Sequence, residues 1–322
     1  MEQFVIGIDV GGQSSKLGVV DQRGNILAQS VISSLQKDLN EYITDLSTAI
    51  KSLVEAVESK GEIKGIGIGA PNANYYKGTI ESAANLTWGR DVNGNPMIIH
   101  FSDLISKATG YPVAITNDAN AAAVGEMTYG VAKGMKNFIM ITLGTGVGSG
   151  IVINGQVVYG HDGFAGELGH TTAVRGGRSC SCGLTGCLEA YSSATGVART
   201  AVEILNNSDR PSILRESRPE EITSKHVFEA AEKGDELALE IFNYTGKLLG
   251  ESFANFVAFS APEAIVLFGG LARARKYIEK PITDNMNANL LDIWRNKVKI
   301  EFSKLKDSDA AILGASALAW EL

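Results

Sequence analysis

Cysteine is scarce in this chain: three stand among 322 residues, and an odd number does not build a disulfide framework of the secreted kind. Basic residues are outnumbered, Lys+Arg 29 against Asp+Glu 36, for a net charge of −7. No stretch is basic enough to grip a phosphate backbone, which argues against a nucleic-acid partner. No apolar run approaches the length of a membrane span. The opening "MEQFVIGIDV" places an acidic residue where a signal peptide needs basic ones. A cytoplasmic protein with neither a membrane nor a nucleic-acid partner is the expectation. Proline is also sparse, 7 against 36 glycines, while hydrophobic residues reach 44% and charged ones 20%. That is a folded, glycine-rich composition, long enough for two domains with ample cores.

Short apolar runs cut off by glycines dominate the first third. "FVIGIDVGG" (4–12) reads as a buried strand, with "KLGVV" (16–20) and "ILAQSVIS" (26–33) as antiparallel partners. Leu39, Ile43, Leu46, Ile50, Leu53, Val54 and Val57 recur at helical spacing and predict an amphipathic helix. "IKGIGIGA" (63–70) and "YPVAITND" (111–118) are further strands, so the class is α/β. "FIMITLGTGVGSGIVINGQVV" (138–158) repeats the grammar of residues 4–27: strand, glycine-rich turn with hydroxyls, strand, Gly/Asn turn, strand. Two copies imply a duplicated domain. "EAIVLFGGLA" (263–272) supplies another buried strand, "DAAILGASALAW" (309–320) a closing helix, and 206–223 a polar surface loop.

The two glycine-rich turns, "DVGGQSSK" (9–16) and "LGTGVGSG" (143–150), fit neither the P-loop nor the dinucleotide pattern, because a strand and not a helix follows each. Such hairpins are either plain tight turns or anion cradles whose backbone amides approach a phosphate closely. One in each half points to a nucleotide held between the halves, with Gly11, Gly12, Gly144, Thr145, Gly146 and Gly148 as the contacts. Gly269 and Gly270 are expected as a third contact, at a helix N-terminus. Asp9 at the first strand's end suits a magnesium ion, directly or through water. In "AITNDANAAAVGEM" (114–127), Asn117 and Asp118 are both good N-cap residues, and capping explains one of them. An aspartate at a strand's end is also placed to act as a general base in phosphoryl transfer.

All three cysteines fall in "GHTTAVRGGRSCSCGLTGCLEAY" (169–191). Cys180, Cys182 and Cys187, with His170 upstream, match a structural tetrahedral zinc site, which uses all three thiols where a disulfide strands one. Glu167 and Glu189 flank this knot, either as a solvated surface or as hydroxyl acceptors in a polar pocket.

"DVGG", "NL-T-W" (85–88), "TNDANAAAVGE", "LGTGVGSGIVINGQVVYG", "GFAGELGH", "CSCGLTGCLEAYSS" and "VLFGG" together resemble the ROK sugar kinases, in the family's order and over nearly the whole chain. The resemblance implies a two-lobed, actin-like (ribonuclease H-like) ATPase fold with a duplicated domain and a small zinc knot. Its lobes are expected as 1–116, completed by the C-terminal helix 305–322, and 117–304, carrying the zinc-binding segment 170–187. It further implies ATP with Mg²⁺, a structural Zn²⁺ on His170, Cys180, Cys182 and Cys187, and often a homodimer. Asp118 is implied as catalytic base, and Asn85, Asn117, Asp118, Glu167, His170 and Glu189 as sugar ligands. If zinc takes one nitrogen of His170, the other carries the proton and becomes a fixed donor to a sugar hydroxyl.

Two departures stand out. "GGQSSK" replaces the usual G-G-T-K, which puts an extra residue or a shifted hydroxyl (Ser14 or Ser15) near the phosphates, and "GAPNANYYKG" replaces G-x-P-G beside the sugar. The expected activity is phosphorylation of glucose or a mannose-like hexose at its primary 6-hydroxyl. The alternatives are an N-acetylhexosamine kinase or a non-catalytic sugar-sensing regulator. The regulators carry a helix-turn-helix ahead of the kinase-like part, and here the first strand is expected to begin at Phe4.

Overall fold

The first strand alternates its burial partners with a period of two, and that alternation organises everything around it. The computed structural model describes residues 2–36, 38–83, 85–91, 93–306 and 308–322. In β1 (Glu2–Val10), Phe4, Ile6, Ile8 and Val10 face one hydrophobic core. Val5 faces a second, on the opposite side of the sheet, with Ile312 and Leu313 of the C-terminal helix. β2 (Ser14–Asp21) and β3 (Ile26–Ser33) extend the sheet antiparallel, and β4 (Gly61–Gly69) joins β1 in parallel.

Between them α1 (Leu39–Glu55) lays Tyr42, Leu46, Ile50 and Leu53 into the first core, and Asp38 caps it by accepting from the Asn40 and Glu41 amides. A small three-stranded sheet follows, made of β5 (Ala73–Asn74), β6 (Thr79–Glu81) and β7 (Ile98–Ile99). Next come α2 (Phe101–Thr109), β8 (Val113–Thr116) and α3 (Asp118–Tyr129). The sheet order is β3-β2-β1-β4-β8.

The second sheet repeats this grammar. β9 (Phe138–Leu143) and β10 (Val147–Ile153) form the antiparallel hairpin, and β11 (Gln156–Val157) follows the Asn154-Gly155 turn. Three helices then cover residues up to the long central one: α4 (Glu189–Ser192), α5 (Ala194–Asn206) and α6 (Ser224–Glu232). α7 (Glu236–Ser260) leads into β12 (Ala264–Phe268), parallel to β9. α8 (Arg275–Ala288) and β13 (Lys299–Phe302), parallel to β12, complete the order β10-β9-β12-β13.

The C-terminal helix, α9 (Ala310–Ala319), returns to the first sheet. Glycines let it lie on bare backbone: a Cβ on Gly7 would stand 2.1 Å from the Ile312 carbonyl oxygen, and one on Gly67 1.9 Å from that of Ala315. Across from it, Gly125 of α3 meets Gly314, where a Cβ would come within 2.7 Å of the Gly314 Cα.

Two compact units result. One comprises Met1–Met135, Gly155–Gly166 and Lys304–Leu322, the other Lys136–Asn154 and Glu167–Ser303. This division differs from the boundary expected at 116/117, because α3 packs on β4 and on the C-terminal helix within the first unit. Among the described residues no helix is long and apolar enough to cross a membrane.

Candidate active site and metal centre

In the first unit, β1 delivers Asp9 to the mouth of a glycine turn. Gly11 donates its amide to the Ser14 carbonyl at 3.1 Å, and Gly12 lies against Asn85, whose carbonyl oxygen a Cβ there would meet at 2.7 Å. Burial pushes the Asp9 carboxyl up to about 6; the charge of Asp118 adds to the rise and Lys16 opposes it.

Asn117 and Asp118 divide the work at the start of α3. Asn117 is the cap, its Oδ1 accepting from the Asn120 amide at 2.7 Å. Asp118 is the first helical residue, with Oδ1 accepting from the Ala119 amide at 2.8 Å. It keeps solvent access, yet dense surrounding protein pushes its carboxyl above the usual carboxylate range, against the pull of backbone hydrogen bonds.

The hydroxyls of the departing loop do not both serve it. Ser15 is fully buried, with its Oγ 2.7 Å from Ser34 Oγ and 2.6 Å from Tyr42 OH, so it braces the turn from behind. The second departing loop is pinned in place: Asn74 Nδ2 donates to the Asp162 carbonyl at 2.7 Å, and Tyr75 stacks on Tyr159 with centroids 4.1 Å apart.

In the second unit the β9–β10 turn is held from below. Gly144 accepts from the Ala194 amide at 2.8 Å, the Thr145 carbonyl from Thr195 Oγ1 at 3.0 Å, and Val147 donates its amide to Glu189 Oε2 at 2.9 Å. Gly148 is not part of the turn; it pairs with Thr142 in the ladder. Gly269, at φ +105°, packs on the Leu143 carbonyl. It opens a 3₁₀ turn and not the α-helix N-terminus expected there, since α8 begins only at Arg275.

Glu167 precedes a short 3₁₀ turn, Leu168–His170, that is seated on β10. Ser149 Oγ accepts the Leu168 amide at 3.0 Å, and a Cβ on Gly169 would stand 2.0 Å from the Val147 carbonyl oxygen. His170, Cys180, Cys182 and Cys187 converge so that one ligand atom from each lies within 4.8 Å of the others. Cys180 Sγ is 3.7 Å from His170 Nδ1, and Cys182 Sγ is 3.7 Å from Cys187 Sγ. Those two separations match the edge of a tetrahedron whose centre lies about 2.3 Å from each corner, the Zn–S bond length. The set therefore fits a tetrahedral zinc ion. Nδ1 faces the thiols, which leaves Nε2 as the nitrogen directed elsewhere.

The sequence model of the ROK family matches residues 5–321. This chain belongs to the ROK family. The ROK chain is 36% identical over 322 residues to the glucokinase of Halalkalibacterium halodurans, covering 98% of this chain and 95% of that one. Among solved structures it is similar to a ROK family glucokinase from Streptomyces griseus in complex with glucose and AMPPNP. That match has a TM-score of 0.79 and 30% identity, covering 99% of this chain and all of that one. It is also similar to a ROK family transcriptional regulator, a homolog of the E. coli MLC protein, at TM-score 0.86 and 25% identity, covering 100% of this chain and 78% of that chain. The two sheets, each an antiparallel hairpin continued by parallel strands, are the duplicated domain of the actin-like (ribonuclease H-like) ATPase fold.

Two residues of this ROK protein were not singled out by motif. Lys16 stands directly opposite Asp9 in the β1–β2 ladder, so both side chains leave the same face, and it makes no ion pair among the described residues. Arg178 anchors the cysteine segment. Its guanidinium donates to Glu203, to the Ala190 and Gly196 carbonyls and to Thr200, while lying 4.4 Å from the Tyr191 ring centroid. Opposition across a hairpin is readable as strand parity, which offers a signal for Lys16. Nothing local marks Arg178.

Proposed function

We propose that this ROK protein transfers the γ-phosphoryl group of ATP to the primary 6-hydroxyl of a hexose, glucose or a mannose-like sugar. The observation that carries the reading is Asp118: a carboxylate at a strand-to-helix junction, free of capping duty and raised toward the range where a base accepts a proton efficiently. The likeness to glucokinases over nearly the whole chain supports the choice of reaction and sugar.

In this mechanism Asp118 accepts the proton of the 6-hydroxyl as that oxygen attacks the γ-phosphorus. The bond from the γ-phosphorus to the β,γ-bridging oxygen breaks, and ADP leaves with the bridging oxygen. Asn117 keeps its Nδ2 for a sugar hydroxyl, because only Oδ1 is used in capping. Asn85, Glu167, His170 and Glu189 are the other sugar ligands. The turns at Gly11–Gly12 and Gly144–Gly146 offer backbone amides to the phosphates, with Gly269 and Gly270 beside the second, and Lys16 adds a cation near the first. Magnesium bound with ATP would neutralise phosphate charge, and Asp9, at the end of β1 beside the first glycine turn, is the carboxylate to hold it. Zinc on Cys180, Cys182, Cys187 and His170 Nδ1 would leave the proton on Nε2, fixing that nitrogen as a donor to the sugar.

A coupled ADP-release assay over hexoses and N-acetylhexosamines tests the reading. Glucose or mannose should turn over, and Asp118→Asn should lower kcat by about 10²–10⁴ with little change in sugar KM. Turnover restricted to N-acetylated sugars would reassign the substrate. Full activity in Asp118→Asn would remove the base.

A further inference from the structure

Glu189 uses its two oxygens on two different structures. Oε2 accepts the Val147 amide at 2.9 Å and packs against Gly146, where a Cβ would stand 2.5 Å from it. Oε1 reaches Ser181 Oγ at 3.3 Å and lies 3.6 Å from Cys180 Sγ, itself 3.7 Å from His170 Nδ1. One carboxylate thus joins the glycine turn that would cradle phosphate to the thiol–imidazole cluster. The joint is reinforced by the residues that follow it, since Ala194 and Thr195 hold the Gly144 and Thr145 carbonyls. Gly146 is small for a reason visible here: any side chain would displace the carboxylate.

We propose that Glu189 couples sugar binding to nucleotide binding, acting on the β9–β10 turn as a positioning residue. The inference rests on the reading of Glu189 as a sugar ligand. A sugar hydroxyl on Oε1 restricts the carboxylate to the orientation in which Oε2 receives the Val147 amide. The turn is then ordered before nucleotide arrives, and nucleotide no longer loses that ordering entropy on binding. Linkage makes the effect reciprocal: nucleotide must tighten sugar by the same factor.

Calorimetric titration of metal-replete protein with glucose, with a non-hydrolysable ATP analogue, and with each in the presence of the other reads the coupling directly. Wild type should show each ligand tightening the other by about tenfold, within the usual range for coupled sites. Gly146→Ala should reduce that factor to less than about twofold. Glu189→Gln, whose amide oxygen can still accept from Val147, should bind glucose more weakly yet retain most of the coupling. Amide hydrogen exchange at Val147 in wild type provides an arm that needs no variant: glucose alone, without nucleotide, should slow it. The inference is overturned if both ligands bind wild type independently, if Gly146→Ala couples as wild type does, or if glucose leaves Val147 exchange unchanged. Failure of glucose to bind wild type at all would instead overturn the assignment of glucose as the sugar, and this inference with it.

Discussion

The Asp9 carboxyl works against folding wherever it is ionised, because burial and the charge of Asp118 push it from 3.8 up to about 6. Below the lower value the group is protonated in both folded and unfolded chains and costs nothing. Between the two values the folded state holds the extra proton, so stability falls as pH rises through that window. The full penalty, roughly 2–3 kcal/mol, is present at neutral pH. Asp9→Asn should therefore raise the thermal midpoint at pH 7 by several degrees and leave it unchanged near pH 3, as calorimetry at the two pH values would show. The same variant should lose activity. Asp118 carries a raised carboxyl for the same reason, and there the sign concerns catalysis: kcat/KM should fall as pH drops through a value above the ordinary carboxylate range. An acid limb at the ordinary value of about 4 would mean that another group limits the rate. These carboxylates were legible because aspartates at strand ends are few. Ser15 was misleading, since a hydroxyl in a glycine turn looks the same in sequence whether it faces a ligand or a buried tyrosine. Arg178 was invisible: its partners lie 12 to 25 positions downstream, and nothing in "RGGRSC" marks them.

Among the elements, hairpins and the α1 stripe were readable from period alone, whereas α3 was not readable as to its surroundings. Its sequence "DANAAAVGEMTY" has no polar face, because β4 packs on one side and the C-terminal helix on another. Contact there is backbone to backbone, so Gly125→Ala should destabilise the protein by about 1–3 kcal/mol, measured by denaturant unfolding, even though alanine is the better helix former. The small sheet β5-β6-β7 escaped detection for a simpler reason. Its strands span two or three residues, too short for any periodicity to appear. The cysteine segment was legible as a cluster, and its fit to a tetrahedral ion gives a further expectation. Purified protein should carry about one zinc per chain by elemental analysis, and Cys187→Ser, at a buried corner of the cluster, should lose most of it.

For the whole molecule, duplication was apparent from residues 4–27 and 138–158, but the division of the chain was not. The chain passes from one unit to the other at 135/136, 154/155, 166/167 and 303/304, and the reason lies in glycines that accept a distant helix. Gly7 and Gly67 carry no sequence signal that their partners are Ile312 and Ala315. A fragment ending at Met135 should consequently fail to fold, showing no dispersed amide spectrum. Fusing residues 304–322 to it through a linker should restore dispersion.

The late position of the C-terminal helix also fixes an order of events on the ribosome. Residues 136–154 and 167–303 all precede that helix in the chain, so the second unit is synthesised in full while the first still lacks its cover. The strand face around Val5, Gly7 and Gly67 stays open until that helix has been made and has left the ribosome. In most multidomain chains the N-terminal part matures first. Here the N-terminal sheet is synthesised first and finished last, with the apolar side chains of Val5 and Val20 uncovered in between.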